Sequence, residues 1–121
     1  MQDQIAVYHS SNGNKIYDNK INGGEVGIRI NTNSTSNLIY NNSLFNSKYG
    51  IFLLQGASSN LIDSNTISNT SRVALYVKGP TTSNNVFKNN HLLNNQNDEI
   101  GRSNLGNSTV IFMNNTIDNT R

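Results

Sequence analysis

Apolar and polar positions follow a rhythm along this chain that resets about every two dozen residues. The stretch SNLIYNNSLFNS at 36–47 returns as SNLIDSNTISNT at 59–70. With the second Asn of the YNN step as an anchor, the series Asn19, Asn42, Asn65, Asn90 and Asn115 appears, at intervals of 23, 23, 25 and 25 residues. Two residues after each anchor stands an aliphatic side chain (Ile21, Leu44, Ile67, Leu92, Ile117), and three before it a large apolar one (Ile16, Ile39, Ile62, Phe87, Phe112). A second Asn series runs five residues upstream, through Asn14, Asn37, Asn60 and Asn85, and breaks at Val110.

Each unit holds a third apolar segment with strict alternation: Ile5 and Val7, Ile28 and Ile30, Ile51 and Leu53, Leu75 and Val77. Alternation of period two marks a half-buried strand. The unit is therefore three short strands separated by turns rich in Asn, Ser and Gly. Such a repeat cannot bury its apolar faces alone, but stacked copies can. Coils spaced by the strand separation of about 4.8 Å place Ile28 over Ile51 and Ile21 over Leu44. The predicted fold is all-β, a parallel β-helix of about five coils of 23–25 residues with three short parallel sheets, forming one domain over residues 1–121.

The anchors have two physical uses in such a coil. Asn tolerates the left-handed backbone region that a turn between sheets requires. Its amide carries donor and acceptor together, so identical Asn residues in successive coils predict a hydrogen-bonded ladder through Asn19, Asn42, Asn65, Asn90 and Asn115.

Composition supports this picture. Asn makes up about one residue in five, charged residues 13% and hydrophobic ones 34%, with a net charge of +2. Without periodicity those values describe a disordered chain; with it they describe a polar-surfaced solenoid and argue against helix. Cysteine is absent, which excludes disulfides and thiolate chemistry. No apolar run has the length needed to insert in a membrane, and the N-terminus has no signal-peptide pattern. The modest basic excess lacks the clustering that nucleic-acid binding requires.

The units GIRINTNSTSNLIYNNSLFNS and GIFLLQGASSNLIDSNTISNT resemble right-handed parallel β-helix repeats, and the resemblance covers almost the whole chain. Such repeats occur in pectate-lyase-like folds, NosD-like periplasmic proteins and mannuronan C5-epimerases. The resemblance implies an extracellular or periplasmic location and a polysaccharide ligand. In the epimerases an Asp-Pro-His motif carries the chemistry. Here the only proline is Pro80, in KGPTT, and neither His9 nor His91 follows a proline. No catalytic residue is assigned.

By the same register, one outward row of the first sheet is Ala6, Arg29, Phe52, Tyr76, Gly101, and its neighbour is Tyr8, Asn31, Leu54, Lys78, Ser103. Residues two apart on a strand share a face. Tyr8, Arg29, Phe52, Tyr76 and Lys78, with Lys48 and Arg72 in the preceding turns, thus form a candidate carbohydrate-binding surface. Aromatic rings offer apolar area to sugar C–H groups, and Arg and Lys meet carboxylates, so an extended glycan, including an anionic polyuronate, fits this stripe. An equally ordinary explanation is that aromatics favour strands and cations serve solubility.

His9 and Tyr76 fall three coils apart, too far to act together, and His91 lies on the third sheet. Asp63 reads as a surface charge pair with Lys88. The carboxylates are scattered over different coils, so no metal site or cofactor is expected. Arg102 occupies a position held elsewhere by Ile30, Leu53 and Val77, which predicts an opened last coil or a register slip. No capping element is visible at either end, and the final TIDNTR stops within a coil. The chain is thus expected to be a segment of a longer solenoid, or to meet adjoining coils or copies of itself end to end. Three functions remain open: a glycan-binding segment without chemistry of its own, part of an epimerase or lyase with catalytic coils elsewhere, and a structural solenoid.

Overall fold

The computed structural model describes residues 3–118; Asn119, Thr120 and Arg121, which complete the TIDNTR stretch, lie outside the described residues. Every regular element among the described residues is a strand. Coil 1 comprises β1 (Asp3–Val7), β2 (Lys15–Tyr17) and β3 (Lys20–Asn22), and coil 2 comprises β4 (Val26–Ile30), β5 (Leu38–Tyr40) and β6 (Ser43–Phe45). Coil 3 comprises β7 (Tyr49–Leu54), β8 (Leu61–Asp63) and β9 (Thr66–Ser68), and coil 4 β10 (Val73–Lys78), β11 (Asn85–Lys88) and β12 (His91–Leu93). Coil 5 comprises β13 (Asp98–Ser103), β14 (Val110–Met113) and β15 (Thr116–Asp118). Equivalent strands of successive coils pair in parallel, giving three five-stranded sheets.

The register is the one the repeat predicts. Ile5, Ile28, Ile51, Leu75 and Ile100 form one column, Ile16, Ile39, Ile62, Phe87 and Phe112 a second, and Ile21, Leu44, Ile67, Leu92 and Ile117 a third. In the middle coils these side chains are almost wholly excluded from solvent. Each such burial contributes about 1.5–3 kcal/mol. Phe87 and Phe112 continue the second column as a parallel ring pair, with centroids 5.0 Å apart.

Between the columns run the ladders. Asn42, Asn65 and Asn90 are buried, and each passes its backbone N–H and a side-chain N–H to the Oδ1 of the next anchor. The second Nδ2 proton is donated back to a strand carbonyl of the preceding coil, Ile16 for Asn42, Ile39 for Asn65 and Ile62 for Asn90. The Asn14, Asn37, Asn60, Asn85 series forms a second ladder of the same kind. It ends at Val110, which has no side-chain amide and is the first residue of β14, paired with Asn85.

The expectation that the anchors take the left-handed conformation is corrected. The residues with positive φ are those just before them: Asp18, Asn41, Ser64, Asn89 and Asn114, with φ of 59°, 56°, 61°, 57° and 55°. The anchor N–H must point along the stack at the next Oδ1, so the preceding residue absorbs the kink. A third ladder position, five residues after each anchor, was not anticipated. It holds Gly24, Ser47, Thr70 and Asn95, where Thr70 donates through N and Oγ1 to Asn95 Oδ1 at 2.9 and 2.8 Å.

Coil 5 keeps its register, because Arg102 pairs with Val77, so the expected slip does not occur. Arg102 is exposed, and its guanidinium lies 4.8 Å from the Phe112 ring centroid. Glu99 stands where earlier coils carry Gly27, Gly50 and Ala74; its Oε2 accepts from Asn95 Nδ2 at 2.8 Å, while Oε1 is buried without a partner. This coil is therefore the least apolar inside.

Candidate functional site

The outer face of the first sheet is shaped by a bend that strict alternation does not describe. A Cβ on Gly50 would stand 2.7 Å from Ile67 Cγ2, so position 50 faces the interior just before inward-facing Ile51. Two consecutive inward positions turn Tyr49 outward. The same bend brings out Asp3 at the corresponding place in β1. Neither Tyr49 nor Asp3 was identified from sequence, because period two puts both inside; the unpunctuated Gly27 and Gly50 were the available signal.

Three rings meet on this face. Phe52 and Tyr76 stack at 4.6 Å between centroids, Tyr49 and Tyr76 at 5.6 Å, and Tyr49 tilts against Phe52 at 5.3 Å. Arg29 holds the predicted register beside Phe52, but it does not project into solvent. It is 4% exposed, with its Nε donating to Asp3 Oδ1 at 3.0 Å and its guanidinium 5.1 Å from the Phe52 centroid. Phe52 is 7% exposed. Val26, Phe52 and Val73 are buried yet stand apart from the interior cluster, so the outer face has a small apolar layer of its own.

Beyond Tyr76 the row ends in Gly101, and an open hollow of about 580 Å³ follows, lined among others by Tyr49, Arg72, Val73, Tyr76, Asp98 and Gly101. Arg72 thus joins Tyr76 at one place. Lys48 lies over Tyr49, with Nζ 5.8 Å from the ring centroid and 3.9 Å from Glu25 Oε1. Lys78 is exposed at the far end of β10 and lines a separate hollow with Leu54 and Pro80. Tyr8 lies on the first coil, away from the ring cluster, and donates its hydroxyl to Asp3 Oδ2 at 2.8 Å. That hydrogen bond, then burial and the Asp3 charge, raise the Tyr8 pKa above its ordinary value, against the opposing pull of Arg29. The predicted stripe thus runs from Tyr8 and Asp3 through Arg29, which touches Phe52, to Tyr49, Tyr76 and Arg72, while Lys78 stands apart.

His91 lies on the third sheet, in β12. Asp63 makes no ion pair with Lys88, contrary to expectation; its Oδ1 accepts from Ser64 Oγ at 2.8 Å and Asn89 Nδ2 at 3.3 Å. These short local donors reach the carboxylate without ordering a lysine chain. Among the described residues no group of three or more His, Asp or Glu is placed to hold a metal ion, and no helix is long and apolar enough to cross a membrane.

Stacked parallel coils with internal Asn ladders and an aromatic outer face define the class of parallel β-solenoids. The chain belongs to the right handed beta helix region family, whose model matches residues 1–121. No curated protein and no solved structure matches it.

Proposed function

We propose that the outer face of the first sheet binds an extended polysaccharide, and that this chain supplies no chemistry of its own. The observation that carries the reading is the contiguous cluster of Tyr49, Phe52 and Tyr76 beside the hollow at Gly101. The stacked rings brace Tyr76 at the margin of the hollow, which gives a pyranose room beside that ring with Arg72 and Asp98 at its edge. The Arg29 charge is matched by Asp3 and Lys48 pairs with Glu25, so carboxylates of a polyuronate fall to Arg72. An extracellular or periplasmic setting, and an epimerase or lyase parent with catalytic coils elsewhere, accompany this reading by family resemblance only.

The test is affinity electrophoresis through gels containing neutral glycans or polyuronates. Tyr49→Ala and Tyr76→Ala should lose retention while keeping the β circular dichroism. Retention that is absent in the parent chain, or unchanged in both variants, overturns the proposal. A structural solenoid is the second reading, favoured by the near-complete burial of Arg29 and Phe52, which suits a packing layer better than a binding surface.

A further inference from the structure

The outer face of the second sheet is separate from the glycan face and carries a different pattern. One row runs Leu38, Leu61, Val86, Ile111 in register across four coils. The next row runs Tyr40, Asp63, Lys88, Met113. None of these apolar side chains packs against the interior cluster, and Ile111 and Met113 are 48% and 46% exposed. The row opens with Lys15 in coil 1 and is apolar through the four coils that follow.

The charges at its centre identify what covers it. Asp63 and Lys88 are neighbours in register but form no ion pair with each other or with any described residue. We propose that a second copy of this chain packs face to face on the second sheet, about a two-fold axis parallel to the strands and lying between β8 and β11. That operation reverses the coil order and keeps the strand direction, so each row meets itself. Leu61 then meets Val86 of the partner subunit, and Leu38 meets Ile111 of the partner subunit. Asp63 meets Lys88 of the partner subunit, twice by symmetry, and Tyr40 meets Met113 of the partner subunit as a sulfur–aromatic contact.

The alternative in-plane axis, along the solenoid, reverses the strands and sets Asp63 against the partner's apolar row. That buries a carboxylate without a cation, which is strongly unfavourable. Charge thus selects one of two geometries. The footprint is small, about 10 by 19 Å from strand length and spacing, below that of a stable interface, so the dimer is a transient one seen at high concentration.

Sedimentation equilibrium of the whole chain from micromolar to millimolar concentration tests this. The weight-average mass should climb toward that of two chains and level there. Asp63→Lys should raise the dissociation constant about tenfold or more by setting Lys against Lys, and adding Lys88→Asp should restore it to within about threefold. Leu61→Arg should abolish association without altering the circular dichroism. A parent chain that stays monomeric throughout, a mass that grows past the dimer as end-to-end stacking requires, or a double reversal that fails to restore association overturns the proposal.

Discussion

Asn65 donates both its backbone N–H and an Nδ2–H to the single Oδ1 of Asn90, at 2.9 and 3.1 Å. Its own Oδ1 accepts the same pair from Asn42, each at 3.0 Å, and its remaining amide proton goes to the Ile39 carbonyl at 3.0 Å. Every polar atom of a buried side chain is thereby used, which removes the cost that burial of an amide otherwise imposes.

Asn65→Ala leaves the Asn42 donors, the Asn90 acceptor and the Ile39 carbonyl short of partners in a dry interior. A loss of about 3 kcal/mol in urea unfolding is expected. Asn115→Ala removes the last described rung, which is half-buried, and should cost about 1 kcal/mol. Equal losses at the two sites would show that the ladder is not a continuous structure.

Gly50 and Gly13 separate space from conformation. A Cβ at Gly50 would lie 2.5 Å from the Ala74 carbonyl oxygen, so Gly50→Ala forces a backbone shift and should destabilise by about 3 kcal/mol. Gly13 has open space around it but a φ of +73°, so Gly13→Ala should cost about 1 kcal/mol through the left-handed backbone alone. Thermal unfolding of the two variants gives the ranking, and a costlier Gly13→Ala would refute the bend assigned to the first sheet.

Tyr8 links stability to alkaline pH. Its folded pKa lies above the unfolded value of 10.0 because its protonated hydroxyl bonds Asp3. A raised pKa contributes stability that is complete below pH 10 and disappears as the pH climbs through the folded value. The unfolding midpoint should therefore fall more steeply above pH 10 in the parent chain than in Tyr8→Phe, as urea titrations across that range would reveal. Parallel curves would mean that the Tyr8–Asp3 bond is absent in solution.

Columns and ladders were legible in the sequence wherever one residue type does one job. Inward aliphatics and anchor Asn residues recur because their neighbours above and below are themselves. The third ladder escaped notice because Gly24, Ser47, Thr70 and Asn95 differ in type, although their backbone task is shared. The left-handed positions were misplaced by one residue for a related reason: Asp18, Ser64 and Asn89 all tolerate that conformation, so no single letter marks it. At the candidate site, period two predicted the row of Arg29, Phe52 and Tyr76 but not the bend at Gly50 that adds Tyr49 and Asp3. Nor does a row of letters disclose that Arg29 is held beneath its neighbours by a carboxylate from the coil before.

The unequal coil lengths have a consequence for how such a molecule changes. Between Ser47 and Tyr49 lies Lys48 alone, whereas the matching connection from Thr70 to Val73 holds Ser71 and Arg72. Five residues join Leu54 to Asn60, and six join Lys78 to Asn85. Both added residues thus border the same wall, while the one remaining corner, between the second and third sheets, keeps its size. The scaffold confines its tolerance for insertion to the rim of one surface, so that surface can be remodelled turn by turn while the stack beneath continues undisturbed.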